Sequence, residues 1–331
     1  DGVEYNIPLS IQRTIFSKSN KSDIRKLIEL PMLGYKLLRY VQQNKIDSVM
    51  SFLYRPNYVN VIAKLLGSKH KSIVNIRSTT SRYKREGLLG YVNLFLVKKL
   101  FNTADIIISN SFGVENDLKS LMKISTKTQV IYNPIDKNYI NNLKNSANDE
   151  KFEFKIDIKY LISVGRMIPL KRNKDLIDAF LVLQKADEKL ELIFLGDGLL
   201  KSELMEYCII LGIRDKVHFI GNVENTFYYL NKSNLFILNS ETEGFPNVLV
   251  EAMAVGLPVI SSDCKSGPRE ILDNEKYGLL YPVGNVKKLI EKIQYYLYNN
   301  EVNLREIKEL NLKRADDFNL EIIIKKYTEI V

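Results

Sequence analysis

From residue 160 onward, short apolar runs end in glycine or a polar turn, then give way to stretches of helical spacing. Residues 160–164 run into Gly165-Arg166, and residues 175–183 follow with helical spacing. Residues 192–195 end at Gly196-Asp197-Gly198, and a helical stretch over 200–211 is stopped by Gly212. Residues 217–220 end at Gly221. Residues 235–238 precede a helical stretch over 247–255 that Gly256 stops, and residues 258–260 open another strand. Strand-length runs alternating with helices at this spacing predict parallel βαβ units with helices on both sheet faces.

The first half repeats the pattern more faintly. Helices are expected over 27–43, 58–66, 88–101 and 114–122, and strands over 48–53, 72–76, 106–109 and 129–132. Residues 138–158, rich in Asn, Lys and Asp and without a clean period, read as a linker. Residues 286–331 read as three helical segments. A chain of 331 residues suggests two domains, since single cores stop growing near ~250–300 residues. An open α/β domain begins with a strand and a glycine-bearing turn. Residues 1–8 lead instead into a polar stretch, so the first domain is expected to lack an initial strand–helix unit of ~30 residues or more.

Composition narrows the function. Hydrophobic residues make up 45% and charged residues 26%, which excludes wholesale disorder, a collagen and a disulfide scaffold. Two cysteines, Cys208 and Cys264, and two histidines, His70 and His218, form no zinc-spaced cluster, and they suit a reduced, intracellular chain. No apolar run reaches the ~18 residues of a spanning helix; the longest candidate, 88–96, contains Gly90 and Asn93. Charge is uneven. Residues 1–150 carry 23 Lys and Arg against 12 Asp and Glu, and residues 151–331 carry 25 against 27. A basic first half points to a polyanionic partner: nucleic acid, a phosphorylated substrate or an anionic membrane. A genome that favours Lys, Asn, Ile and Tyr accounts for basicity overall but not for the asymmetry.

The strongest motif is Glu243-Gly244-Phe245-Pro246-Asn247-Val248-Leu249-Val250-Glu251, just beyond a strand. Ligands of parallel sheets sit beyond the carboxyl ends of strands. Pro246 suits the first helical position, which would free the N–H groups of Asn247, Val248 and Leu249 to face a phosphate. Glu251 shares a helix face with Asn247 and Val248, where its carboxylate can accept both hydroxyls of an attached ribose. Glu243 precedes the helix and can reach a group beyond the phosphates. Gly165 lets backbone approach a ligand, and Arg166 and Lys171 are cations suited to a diphosphate, with Arg172 as a substitute for Lys171.

Other segments read less sharply. Gly196-Asp197-Gly198 reads as a tight turn with Asp197 as helix cap in preference to a phosphate loop. Gly221-Asn222-Val223 is either a plain turn or backbone offered to a base. His218 reads as a core histidine, and Cys264 as a small neutral residue. Ser266-Gly267-Pro268-Arg269-Glu270 is expected to line the same cleft. Arg55, Asn57, Arg77, Ser78 and Thr79 follow first-half strands, as either surface loops or contacts to a second substrate. Arg82-Tyr83-Lys84-Arg85 before an apolar helix suits a membrane surface or a solvated loop equally.

Together these segments resemble the retaining glycosyltransferases of family 4, which have the GT-B fold. The resemblance rests on Ser163-Val164-Gly165-Arg166 with Lys171, Leu195-Gly196-Asp197-Gly198, Phe219-Ile220-Gly221 and the two glutamates at 243 and 251. Asn133-Pro134-Ile135-Asp136 resembles the segment that ends the family's first domain. The resemblance implies two Rossmann-like domains with parallel sheets facing a central cleft. These are an acceptor domain over 1–145, onto which a C-terminal helix at 318–331 packs back, and a donor domain over 146–317. It implies a nucleotide-sugar donor, retained anomeric configuration, no metal and no cofactor. Carried across, Arg166 and Lys171 hold the diphosphate, Glu251 holds the ribose and Glu243 contacts the donor sugar. Phe245 to Val248 offer backbone to phosphate and sugar.

Phe52-Leu53-Tyr54-Arg55-Pro56-Asn57-Tyr58 and Lys265-Ser266-Gly267-Pro268-Arg269-Glu270 look like bacterial N-acetylgalactosaminyltransferases that extend undecaprenyl-diphosphate-linked glycans. That implies a UDP-sugar, a lipid-diphosphate-linked acceptor, an anionic membrane surface as partner and no nucleic acid. It places the chain in the cytoplasm, peripheral on the inner face of the plasma membrane. Two features depart from the family: no glycine-rich acceptor loop precedes the first helix, and Asn75-Ile76-Arg77 stands where many relatives carry His or Glu. The alternatives are a GT-B sugar-nucleotide epimerase and a glycosyltransferase with a soluble acceptor. An oxidoreductase is disfavoured, because no strand leads into a full Gly-x-Gly-x-x-Gly with a following acid.

Overall fold

The computed structural model describes residues 11, 12, 14–17, 23–146, 151–299 and 302–331. The reading of residues 1–8 lies outside them. The described chain forms two compact units. One takes the described residues up to Ile76 with Ser81–Ile108 and Leu121–Gln129; the other takes Arg77–Thr80, Ser109–Ser120 and the described residues from Val130 on.

A four-stranded sheet runs in the order β1 (Ser48–Phe52), β2 (Lys71–Ile76), β3 (Ile106–Ser109), β4 (Lys127–Val130). β1 and β2 are parallel, with Ser48 opposite Lys71 and Phe52 opposite Asn75. The six-stranded sheet contains β5 (Lys159–Val164), β6 (Leu190–Leu195), β7 (Val217–Gly221), β8 (Leu235–Leu238), β9 (Val259–Ser262) and β10 (Leu279–Tyr281). Its order is β10-β9-β8-β5-β6-β7, and every neighbouring pair is parallel.

β6, β8 and β9 are buried at every position, which explains why β8 is wholly apolar and β6 is apolar but for Glu191, while β9 runs from Val259-Ile260 into Ser261-Ser262. Successive residues enter opposite layers. Ile162, Ile193 and Phe236 pack with Leu249 and Met253 on one face, while Leu161, Leu192 and Ile237 pack with Phe180 and Ile293 on the other. Strand order turns over at β5, which has β8 on one side and β6 on the other. This is a topological switch point, where neighbouring crossovers leave in opposite directions and open a crevice at the carboxyl ends.

Three local expectations change. The linker expected over 138–158 contains the helix Lys137–Leu143, because Asp136 caps it by accepting from the Tyr139 N–H at 2.9 Å and Ile140 is buried. Residues 147–150 of that stretch lie outside the described residues. The cap of Lys201–Ile210 is Leu200 rather than Asp197; Asp197 instead accepts from the Gly198 N–H at 2.7 Å, closing the turn on itself. Short elements at Thr226–Lys232, Pro268–Ile271 and β10 add to those expected.

That turn packs backbone on backbone. A Cβ on Gly198 would lie 2.4 Å from Met167 O, and the Met167 N–H donates to Asp197 O at 2.9 Å. Gly198→Ala is therefore expected to cost about 2–3 kcal/mol, as overpacking does in a filled core. The check is a lower urea midpoint with an unchanged denaturant slope.

Candidate active site

Gly165 continues β5 with a φ of +151°, and its N–H donates to Leu195 O at 2.9 Å. Lys171 returns over it on a short 3-10 turn, so that a Cβ on Gly165 would touch Lys171 Cε at 3.6 Å. Across the switch point, β8 ends and leads through Asn239 and Ser240 to Glu243. Lys171 Nζ donates to Glu243 Oε1 at 2.5 Å, and Ser240 Oγ donates to the same oxygen at 2.6 Å. Ser163, Gly165, Arg166, Lys171, Asn173 and Ser240 line one small polar recess. Arg166 is exposed, with no side-chain partner among the described residues. Arg172 faces elsewhere and pairs with Asp175 at 2.7 Å, so Lys171 is the lysine of the recess.

The loop after Glu243 is held from several sides. Ser266 Oγ donates to Glu243 O at 2.5 Å. A Cβ on Gly244 would lie 2.3 Å from Arg77 O. Phe245 stacks on Tyr132 with ring centroids 5.3 Å apart, and Phe318 closes the trio at 5.4 Å from each.

Pro246 is the cap of the helix Asn247–Ala254 rather than its first residue. The Leu249 N–H accordingly donates to Pro246 O at 3.1 Å, which leaves Asn247 and Val248, rather than all three, with N–H groups free among the described residues. Two such donors and the positive helix end favour an anion.

Glu251 sits one turn into that helix. Its side chain has no hydrogen-bond or ion-pair partner among the described residues, and burial pushes its carboxyl above the ordinary range. A half-buried acid without a partner among the described residues is costly to keep. Gly221 adopts a φ of +85°, and the Gly196 N–H donates to its carbonyl at 2.8 Å. Asn222 is exposed, and its carbonyl accepts from Lys151 Nζ at 2.9 Å.

The remaining segments have other tasks. Glu270 accepts from the Phe112 and Gly113 N–H groups at 2.8 and 2.6 Å, which caps the helix Phe112–Leu121. Cys264 is buried, and burial pushes its thiol up to about 12, so it is neutral. His218 is half-buried against Glu191 at 2.7 Å. Asn133 Nδ2 donates to Asn247 Oδ1 at 2.6 Å, so it steadies the helix entrance. Its role was hidden in sequence, because the two asparagines are far apart along the chain.

The residues expected to meet a second substrate fall in different settings. Asn57 is wholly buried; it accepts from Ser51 Oγ at 2.8 Å and donates to Asn75 O at 2.8 Å. It fastens strand ends and offers a ligand no surface. Arg55 reaches Glu29 at 3.4 Å and lines an apolar cavity of about 470 Å³ with Phe16, Leu33, Met50 and Phe52. The chain enters this region through Leu53, whose φ of 71° is rare for a branched side chain. Arg77 donates to Tyr327 Oη at 3.4 Å, Ser78 is half-buried and Thr79 is buried.

Comparison with known proteins gives this geometry a family. A model of the group 1 glycosyl transferases matches residues 145–311, and a glycosyltransferase family 4 model matches residues 12–139. The chain belongs to the family 4 glycosyltransferases. One relative of this glycosyltransferase is the N-acetylgalactosamine-N,N'-diacetylbacillosaminyl-diphospho-undecaprenol 4-alpha-N-acetylgalactosaminyltransferase of Campylobacter jejuni. It is 33% identical over 91% of this chain and 81% of its own. An uncharacterized glycosyltransferase of Methanocaldococcus jannaschii is 29% identical over 96% of this chain and 87% of its own. Among solved structures, Anabaena HepE in complex with UDP superposes with a TM-score of 0.75 at 21% identity, covering 89% of this chain and 80% of HepE. Sucrose-phosphate synthase from Thermosynechococcus elongatus gives 0.80 at 18%, covering 94% and 79%. The fold is that of the GT-B enzymes. No helix among the described residues is long and apolar enough to cross a membrane.

Proposed function

We propose that this glycosyltransferase moves an N-acetylhexosamine from a UDP-sugar to a lipid-diphosphate-linked glycan. In this reading the anomeric configuration is retained and no metal ion is needed. One observation carries the reading: Gly165, Arg166, Lys171 and Glu243 meet at the switch point of the six-stranded sheet. UDP in the complex with HepE supports a uridine donor, and the name of the Campylobacter relative supports the sugar and acceptor classes. Residues 146–317 form the donor domain and residues 1–145 the acceptor domain. Residues 318–331 return toward the end of the first domain, as the pairing of Asn319 with Ile135 supports. The enzyme works in the cytoplasm, peripheral on the inner membrane face.

The diphosphate leaves the anomeric carbon and takes up the bonding electron pair. Arg166, Lys171 and the Asn247 and Val248 N–H groups stabilise that growing charge, which is preorganised electrostatic catalysis. The acceptor hydroxyl attacks from the leaving-group face and passes its proton to a phosphate oxygen. Glu251 accepts from the ribose hydroxyls. Glu243 orients the sugar and forms no covalent bond to it. Calorimetry with UDP, UDP-N-acetylhexosamines, GDP-mannose and NAD tests the donor assignment. UDP and its sugars are expected to bind, and Arg166→Ala is expected to weaken them about tenfold, the worth of one charge-assisted contact. Preference for NAD, or binding indifferent to Arg166, would sink the assignment. Acceptor-free conversion of one UDP-sugar into its epimer would favour the epimerase.

A further inference from the structure

The helix Gly87–Leu100 is apolar on both sides but, among the described residues, packs only one of them. Its inner side sets Gly90, Leu94, Val97 and Leu100 into the first unit. A Cβ on Gly90 would lie 1.9 Å from Tyr83 O, and Tyr58 Oη donates to Asn93 O at 3.2 Å, so the helix cannot roll. Its outer side presents Leu88, Tyr91, Val92 and Phe95, exposed by 82, 61, 37 and 59%. Steps of three and four residues make these one continuous stripe. A surface helix ordinarily turns polar residues outward, and a stripe like this marks an interaction face.

Charge identifies the occupant. Arg82, Lys84 and Arg85 stand immediately before the helix, and Lys98 and Lys99 lie in its last turn. The only acid over 80–100 is Glu86, which pairs with Arg82 at 3.8 Å. Across residues 23–76, 81–108 and 121–129 the sequence carries 16 Lys and Arg against 5 Asp and Glu. A second copy would bring this positive field against itself, whereas an anionic lipid surface attracts it.

We infer that Gly87–Leu100 is the membrane-docking element of this enzyme. Leu88, Tyr91, Val92 and Phe95 enter the headgroup–acyl boundary of an anionic bilayer, and Lys84, Arg85, Lys98 and Lys99 meet lipid phosphates. The inference deepens the reading of a lipid-linked acceptor and rests on it. It names the face that brings the enzyme to that acceptor.

The chain has no tryptophan, so Phe95→Trp creates a single reporter at an exposed position. Its emission is expected to shift to the blue on vesicles of phosphatidylglycerol and phosphatidylethanolamine. Acyl-chain-brominated lipid is expected to quench it, and phosphatidylcholine vesicles are expected to leave it unchanged. The double substitution Tyr91→Ser with Phe95→Ser is expected to lower partitioning onto the anionic vesicles at least about tenfold, from the apolar area lost. The thermal midpoint and UDP affinity stay as in the native enzyme. Unshifted emission on anionic vesicles would overturn the inference. So would a concentration-dependent dimer that the double substitution abolishes while neither protein binds vesicles. UDP calorimetry on the same preparations separates the two readings. UDP binding without partitioning refutes the docking helix alone, and partitioning without UDP binding refutes the donor site alone.

Discussion

Glu243→Ala is expected to lower the rate of sugar transfer at saturating donor by about a hundredfold or more, the scale seen when a positioned polar contact to a transition state is removed. UDP affinity changes far less. The expectation follows from how the carboxylate is held. Both of its contacts, Lys171 Nζ at 2.5 Å and Ser240 Oγ at 2.6 Å, fall on Oε1, which leaves Oε2 unclaimed among the described residues. Its own carbonyl is fixed by Ser266. Such a group has one direction in which to meet a sugar, and it holds that direction before the donor arrives. Alanine removes the proposed contact to the sugar and also releases Lys171, whose side chain is only partly exposed and then lacks its counter-charge. Initial rates with UDP-sugar and a synthetic polyprenyl-diphosphate glycan give the kcat and KM separately. A fall in kcat with UDP binding preserved places Glu243 on the sugar. A loss confined to KM would instead make it a spacer for the diphosphate site. Glu243→Gln sharpens the comparison, since it keeps a hydrogen-bonding group toward the sugar while weakening the hold on Lys171.

Much of the second unit was legible because its physics is local. β8 is buried on both faces and apolar throughout, and β6, equally buried, is apolar but for Glu191 and ends at Gly196. Gly165 announces a backbone turn with a φ of +151°, and Gly196 a close backbone approach, since a Cβ on it would lie 2.3 Å from Gly165 O. What stayed hidden was non-local or governed by a single cap. The helix Lys137–Leu143 is carried by one aspartate in an asparagine-rich stretch, where composition suggests a linker. Pro246 fits either the cap or the first helical turn by sequence. Its extended ψ of 96° makes it the cap, and that spends the Leu249 N–H. Asn57 illustrates the opposite error: a polar residue at a strand end looks available, yet it is consumed by Ser51 and Asn75. Glu270 has the same lesson. Its motif resembles that of a family site, but its carboxylate closes the open N–H groups of another helix.

The free Glu251 carboxylate makes the sharpest pH-dependent prediction. Burial raises its pKa above the ordinary value of 4.5, so its contribution to folding has a definite sign. A carboxyl raised in the folded state gives its full stabilisation below the unfolded value, and that stabilisation is lost as pH rises through the folded one. At neutral pH the buried charge works against the fold, so Glu251→Gln is expected to raise the thermal midpoint of the unliganded enzyme. The same substitution is expected to weaken UDP about a hundredfold, since two ribose hydroxyls lose a charged acceptor worth ~1.5–3 kcal/mol per bond. Stability and affinity thus move in opposite directions at one atom pair, as they do where a fold carries strain for a ligand.

Proton linkage gives an independent check. Hydroxyl donors favour the ionised form, so under the proposed ribose contact donor binding is expected to draw the pKa of Glu251 back down and to expel a proton from whatever fraction was protonated. UDP affinity therefore falls as pH drops through the raised value of the free enzyme. The phosphate of UDP also titrates, but it does so equally with Glu251→Gln, so the difference between the two pH profiles belongs to Glu251. Calorimetry in buffers of different ionisation enthalpy is expected to show proton release with the native enzyme beyond that with the variant. Superposable profiles would place the ribose elsewhere and leave the carboxylate without a ligand to explain its burial.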